Sequence, residues 1–159
     1  MSNSSSYRHG SQRIALSVEE RDYESIKLAL QAFEASFCMR GEAFFSAKEL
    51  EGFVSSLREF PINECTPPSL SGGYFDESGN IVLPAHVHIS VSRFLNTGML
   101  AMTVSVFCPH PIYWKDGFGA GGRITYFLQY EGLMKFCNEL ERLISSDSSF
   151  FEFGEFECI

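Results

Sequence analysis

The chain has 159 residues, 45% hydrophobic and 20% charged, a composition typical of one globular domain with its own core. It contains 12 Lys and Arg but 20 Asp and Glu residues, so its formal net charge is −8. This charge repels phosphate backbones, and the basic residues are scattered singly along the chain. We therefore predict no binding to nucleic acid, and a basic protein is the better candidate for a partner.

The absence of targeting signals and the spacing of the cysteines predict a cytoplasmic protein. The N-terminus lacks the apolar stretch of a signal peptide, and no apolar run approaches the roughly 18 residues of a membrane span. The odd number of cysteines, without any CxxC pair, predicts buried free thiols in a reducing compartment rather than disulfides. The five cysteines are Cys38, Cys65, Cys108, Cys137 and Cys158. We expect a soluble protein without membrane contact.

The N-terminal part of the chain predicts a tail, three strands and a helix. Residues 1–12 are rich in serine and are predicted to be a flexible tail, whereas residues 13–159 form a single domain. Ser46 and Glu49 form the capping-box pattern of a helix start. Alternating segments predict strands at residues 13–18, 25–31 and 35–45. The apolar stripe of the helix consists of Leu50, Phe53, Val54 and Leu57.

The middle of the chain contains the two strongest strand patterns. A loop at residues 63–73 and a short strand at 73–76 precede them. The two strands are predicted at residues 85–94 and 99–107, with a hairpin turn between them. In the first strand, alternation directs Val87 inward and His86 and His88 outward. Residues 108–122 are predicted to form a long loop.

The C-terminal part repeats the strand-then-helix unit. Residues 123–128 predict a strand and residues 130–145 a helix, after which residues 150–159 predict a last strand. The second helix carries the apolar stripe Leu133, Phe136, Cys137 and Leu140, at the same spacing as the first. In the last strand, the side chains predicted to face the core are Phe151 and Phe153 before Gly154, and Phe156 and Cys158 after it.

These elements together predict an α+β fold. We expect a mostly antiparallel sheet of about 6–8 strands with two amphipathic helices on one face, because local connections favour antiparallel pairing. The repeated unit predicts an internal strand–helix duplication.

Motifs for catalysis and cofactor binding are weak. The glycine-rich run at residues 117–122 lacks the following helix that a phosphate loop requires, so we predict a flexible hairpin loop instead. There is no Gly-x-Ser-x-Gly motif, no cysteine at a predicted helix start, and no carboxylate pair marked as buried. We therefore assign no catalytic residue and no cofactor.

Four residues are candidate zinc ligands. His86 and His88 share one strand face, and Cys108 and His110 lie on a neighbouring segment. Imidazole and thiolate are suitable ligands for zinc, but nothing in this spacing fixes a tetrahedral site, and we assign no metal site. A metal-dependent or small-molecule enzyme that uses the His86/His88 face is kept as an alternative.

Two segments are candidates for partner binding. Residues 109–118 form a long predicted loop that carries the sole tryptophan, and long aromatic loops often bind partners. The alternative for this loop is that Trp114 folds back onto the core. The last strand is acidic. The candidate partner-binding residues are Tyr113, Trp114, Asp116, Phe118, Glu152, Glu155 and Glu157.

Three segments carry a resemblance to a known family: residues 41–61, residues 87–91 with 102–107, and the second strand–helix copy at 123–140. Over roughly residues 13–145 the chain resembles the wall-associated-protein immunity (WapI) family of small bacterial proteins encoded beside toxins. The resemblance implies an immunity-like inhibitor, and it assigns no binding residues.

Our first hypothesis is a non-enzymatic protein-binding domain, monomer or weak homodimer, that inhibits a bacterial toxin by occluding a basic surface. A further alternative is a self-associating structural module that pairs through the strand at residues 150–159.

Overall fold

The computed structural model describes residues 12–82, 85–112 and 119–158. Eight strands and two helices lie in this part of the chain, and they confirm the α+β class with antiparallel strands. The elements are β1 (Arg13–Arg21), β2 (Ser25–Glu34), β3 (Phe37–Ser46), α1 (Ala47–Leu57), β4 (Ser69–Gly72), β5 (Val87–Phe94), β6 (Met99–Pro109), β7 (Gly119–Leu128), α2 (Tyr130–Ile144) and β8 (Phe150–Phe153).

The strands are divided between two sheets of four rather than joined in one. The strand orders are β3-β2-β1-β8 and β4-β5-β6-β7. Helix α1 begins with the predicted capping box, in which the Glu49 N–H donates to Ser46 Oγ at 3.1 Å and the Ser46 N–H donates to the Glu49 carboxylate at 3.3 Å. The predicted stripe of α1 is buried. Most of the predicted tail, residues 1–11, lies outside the described residues.

The predicted strand–helix duplication is confirmed. Strand β3 with α1 corresponds to β7 with α2 without insertion, and each pair of equivalent residues differs by 83 positions, as Leu50 and Leu133 do (133 − 50). Each copy follows an antiparallel three-stranded meander, β1-β2-β3 in the first and β5-β6-β7 in the second. The buried helical stripes of the two copies match position by position.

Each meander receives its fourth strand from the other copy. Strand β4 follows α1 but pairs with β5, and β8 follows α2 but pairs with β1. Two single-residue bridges, Phe44 to Gly73 and Phe127 to Glu157, also join the two sheets at their corners. Because these exchanged strands tie each copy to the other, buried residues of both copies belong to one hydrophobic cluster.

Aromatic side chains fill the space between the sheets and the helices. Phe136 of α2 packs edge-on against Phe151 and Phe153, with ring centroids 5.7 and 5.6 Å apart. Tyr126 stacks on Phe156 at 4.2 Å, and its hydroxyl donates to the Phe33 carbonyl at 2.9 Å. Burial raises the pKa of Tyr126, which keeps this hydroxyl protonated as a donor.

Two predicted loops are shorter in the structure. Strand β4 lies inside the predicted loop at 63–73, where the apolar alternation of a four-residue strand is too short to detect. The predicted loop at 108–122 is wrong at both ends, because β6 extends to Pro109 and pairs there with Gly119 of β7. The glycine-rich run is therefore largely a strand. A Cβ on Gly119 would collide with the Cys108 carbonyl and the Phe107 ring, which explains the glycine.

The last strand is shorter than predicted. Strand β8 ends at Phe153, and the chain then makes only the isolated bridge at Glu157. Phe156 is buried, which confirms the predicted change of inward set near Gly154, but Cys158 is exposed. The inward placement of Cys158 is therefore wrong, because regular strand geometry stops before it.

The prediction of buried thiols holds for one cysteine. Cys137 lies on the buried stripe of α2, and burial raises the pKa of its thiol to about 11. Cys38, Cys65, Cys108 and Cys158 are exposed, so the predicted burial is wrong for these four. None of the five forms a disulfide.

This difference predicts the thiol reactivity of the native protein. At pH 8 we expect a chromogenic aromatic disulfide to modify the four exposed cysteines rapidly and Cys137 only on unfolding, because thiolate and access are both lacking at Cys137. Absorbance titration counts the reacted thiols. A Cys137→Ala variant should give the same rapid count, and five rapidly reacting thiols in the native protein would contradict the burial.

Candidate functional site

Two surface grooves contain residues that the sequence predicts for function. The first, the His86 groove, has a volume of about 320 Å³ and lies between the outer edge of β3 and the ends of β5 and β6. The side chains that matter in it are those of Arg40, Glu42, Tyr74, His86, Phe107 and Cys108.

His86 is buried, not solvent-facing as predicted. Only 6% of the residue is exposed, and its ring packs edge-on against Tyr74 with centroids 4.6 Å apart. The backbone N–H of His86 donates to the Gly72 carbonyl at 2.8 Å, and the backbone carbonyl of His86 accepts from the Phe107 N–H at 2.8 Å. The outward prediction is wrong because the segment after β4 crosses this end of β5 and covers it. Sequence alternation cannot show such a crossing.

The four candidate zinc ligands are not brought together. Cys108 lines the His86 groove and donates from Sγ to the Arg40 carbonyl at 3.5 Å. His88 is bonded elsewhere, with Nδ1 2.7 Å from Ser71 Oγ, and His110 Nδ1 accepts from the Ile112 N–H at 3.2 Å. Within the described ranges, no three His, Cys, Asp or Glu side chains are placed to share a metal ion.

His86, which directly precedes β5, and His88, within β5, predict a pH dependence of stability. Burial lowers the pKa of both His86 and His88, so the folded state favours their neutral forms. The unfolded chain then binds more protons as the pH falls below the ordinary histidine pKa of about 6.5, and we expect the free energy of unfolding to decrease there. Urea denaturation between pH 8 and 5 measures this.

Variants separate these histidines from other acid effects. His86→Gln with His88→Gln should flatten the dependence between pH 7 and 5, because the two imidazoles that burial keeps neutral no longer titrate. An equally steep loss of stability in the double variant would contradict this assignment.

The second groove, the acidic groove, lies between the start of α2 and the segment after β8 and has a volume of about 320 Å³. It brings together two of the predicted residues, Glu155 and Glu157, and adds Glu131 from the first turn of α2. Lys135 lies 2.9 Å from Glu155 and 3.5 Å from Glu131. The hydrogen bond with Glu155 raises the pKa of Lys135. Glu131 was missed because it lies far from the C-terminal strand in sequence.

The remaining candidate binding residues lie elsewhere. Glu152 projects from β8 outside the acidic groove, with its carboxylate 3.9 Å from Arg13 Nε. The four candidates of the long loop lie outside the described residues. These four are Tyr113, Trp114, Asp116 and Phe118.

An exposed aromatic pair lies beside the start of α2. Phe60 is 79% exposed and packs edge-on against Tyr130 with centroids 4.8 Å apart. The Tyr130 hydroxyl accepts from the Ile62 N–H at 3.1 Å, which fixes the ring. Tyr130 is the first residue of α2 and directly precedes Glu131, but neither ring of the pair lines the acidic groove. Phe60 is not among the residues that the sequence predicts for partner binding.

Most basic side chains of the described residues are engaged within the molecule. Arg21 binds the carbonyls of Leu143 and Ile144 at 2.7 and 2.9 Å and so caps the C-terminus of α2. Lys27, Arg40, Arg58, Arg93 and Arg142 form ion pairs with nearby glutamates. The excess of acidic groups is thus left to the surface.

Comparisons with known proteins give no family assignment. Neither the models of known protein families nor the curated protein sequences contain a match to this chain. In the described part of the chain, both helices fall short of the length and apolarity that crossing a bilayer demands.

Proposed function

We propose that this protein is a non-enzymatic protein-binding domain, of the immunity type, that inhibits a basic bacterial toxin in the cytoplasm. The observation that carries the proposal is the acidic groove at the start of α2. Three carboxylates and one ammonium group meet there, which leaves two unbalanced negative charges at the groove. The resemblance to the immunity family is consistent with this role.

The first turn of α2 carries two features that protein recognition uses, an exposed aromatic pair at Tyr130 and the acidic groove at Glu131. Phe60 offers a large exposed apolar surface beside Tyr130, and aromatic side chains are frequent anchors of binding energy. The carboxylates attract a basic partner and accelerate its association, an effect that added salt weakens. Bound in this way, the domain would cover the basic surface of its partner without any chemical step.

Charge reversal in the groove tests the proposal. We expect Glu155→Lys with Glu157→Lys to reduce binding of the captured partner at least about ten-fold, mainly through a slower association rate. The matched control is Glu24→Lys with Glu77→Lys, which changes the net charge equally at exposed residues outside the groove. Affinity capture from the source cells, followed by kinetic binding assays at two salt concentrations, provides the measurement.

Two results would contradict the proposal. One is the recovery of no stable partner by the wild-type protein, and the other is an equal loss of binding in both charge-reversed proteins. To test inhibition itself, the partner is produced in a host with or without this chain. An immunity role predicts that growth is restored by the wild-type protein and not by the groove variant.

A second candidate is a small-molecule function of the His86 groove. It is favoured by the presence of His86, Cys108 and Tyr74 around one cavity, while the full set of predicted zinc ligands is not assembled there. Thermal-shift screening of metal ions and metabolites, compared between wild type and His86→Ala, distinguishes this candidate from the first.

A further inference from the structure

Among the described residues, the outer edge of β3 is paired at one position. The Phe44 N–H donates to the Gly73 carbonyl at 3.1 Å, and the Gly73 N–H donates to the Phe44 carbonyl at 3.3 Å. In an antiparallel strand, every second residue directs its backbone groups to the same side. Cys38, Arg40 and Glu42 therefore present their N–H and C=O groups along the edge on which Gly73 lies.

These backbone groups lack a partner strand in the described part of the chain. The pairing with Gly73 does not continue, and the Arg40 carbonyl accepts only the weak hydrogen bond from Cys108 Sγ at 3.5 Å. Cys38, Arg40 and Glu42 are all exposed. An exposed row of donors and acceptors at this spacing is complementary to the backbone of one more strand.

We infer that the β3 edge, residues Cys38–Glu42, binds an extended segment of a partner protein that adds a strand along the His86 groove. The segment runs antiparallel to β3, as Gly73 does. Strand alternation directs every second side chain of the segment into the groove. Tyr74, which is 50% exposed, and Phe107 receive them there, so we expect apolar or aromatic residues at those positions.

A partner of different sequence fits this edge better than a second copy of the chain. Each copy carries a net charge of −8, and the mutual repulsion disfavours pairing two copies edge to edge. The inference goes beyond the proposed function, because the β3 edge and the acidic groove are separate surfaces.

Proline substitution tests the backbone pairing directly. Because the Glu42 N–H points outward, Glu42→Pro removes a donor for the added strand without removing a hydrogen bond to β2. Glu42→Gln is the matched control, since it loses the same ion pairs with Lys27 and Arg40 but keeps the N–H. Thermal unfolding and circular dichroism verify that both variants fold.

The probe is a phage-displayed library of random nine-residue peptides, selected on the wild-type protein. We expect selected peptides to bind the Glu42→Gln variant as tightly as wild type. They should bind the Glu42→Pro variant at least about ten-fold more weakly. Methylation of alternate backbone nitrogens in a synthetic peptide should weaken binding with a period of two residues, and NMR shifts should map to residues 38–42.

Three results would overturn the inference. They are the absence of enriched peptides, binding that survives both Glu42→Pro and backbone methylation, and a dimer of the free protein that Glu42→Pro abolishes. Arg40→Pro, with Arg40→Gln as its control, repeats the test at a second position. Charge reversal at Glu155 and Glu157 should leave peptide binding intact, so failure of this inference is distinguishable from failure of the proposed function.

Discussion

Replacement of Phe136 by alanine is expected to lower the free energy of unfolding by about 3–5 kcal/mol. Phe136 is fully buried and packs against Phe151 and Phe153. Its ring therefore joins α2 to β8, the strand of the second copy that pairs with β1 of the first sheet. Truncation leaves a cavity that rigid neighbours on two elements cannot fill. The loss is a large fraction of the stability of an ordinary domain. Urea denaturation provides the measurement.

Phe150→Ala is the matched control for this prediction. Phe150 belongs to β8, as Phe151 and Phe153 do, but it is 55% exposed. We expect its truncation to change the free energy of unfolding by only about 0.5 kcal/mol. Similar losses in the two variants would contradict the central position of Phe136 in the core.

Gly41→Val is expected to lower the free energy of unfolding by about 3 kcal/mol. A Cβ at this position would lie 2.5 Å from Val106 Cγ1 and 3.3 Å from the His86 carbonyl oxygen. Valine adds two further methyl groups, and neither the branched Val106 side chain nor the backbone at His86 can move away cheaply. The two sheets must separate at this corner. Denaturation midpoints of purified variants measure the loss.

Gly52→Ala provides the opposite expectation. Gly52 lies on the exposed face of α1, and a Cβ there meets no atom within 4 Å. Alanine has the higher helix propensity, so we expect a gain of about 0.5–1 kcal/mol. A destabilised Gly52→Ala, or a stable Gly41→Val, would show that the steric account of these glycines is wrong.

The two grooves differ in how far sequence reasoning could reach them. Glu155 and Glu157 were recognised as an acidic segment, because their charge is visible without any fold. Glu131 and the aromatic pair of Phe60 and Tyr130 were not, since tertiary packing alone places Glu131 beside the segment after β8 and Tyr130 beside Phe60. The four candidate zinc ligands are likewise not brought together, because His88 faces Ser71 whereas Cys108 faces Arg40.

The sequence by itself determined the local structure of this protein. Hydrophobic periodicity predicted both helices and most strands, and the Ser46–Glu49 capping box marked the start of α1, because these features depend on neighbouring residues only. The repeated stripe predicted the duplication. Only the tertiary structure decided that β4 and β8 exchange between the copies, that His86 is covered by Tyr74, and that Glu131 lies beside Glu155 and Glu157. Those outcomes depend on contacts between residues far apart in sequence, and local periodicity carries no information about such contacts.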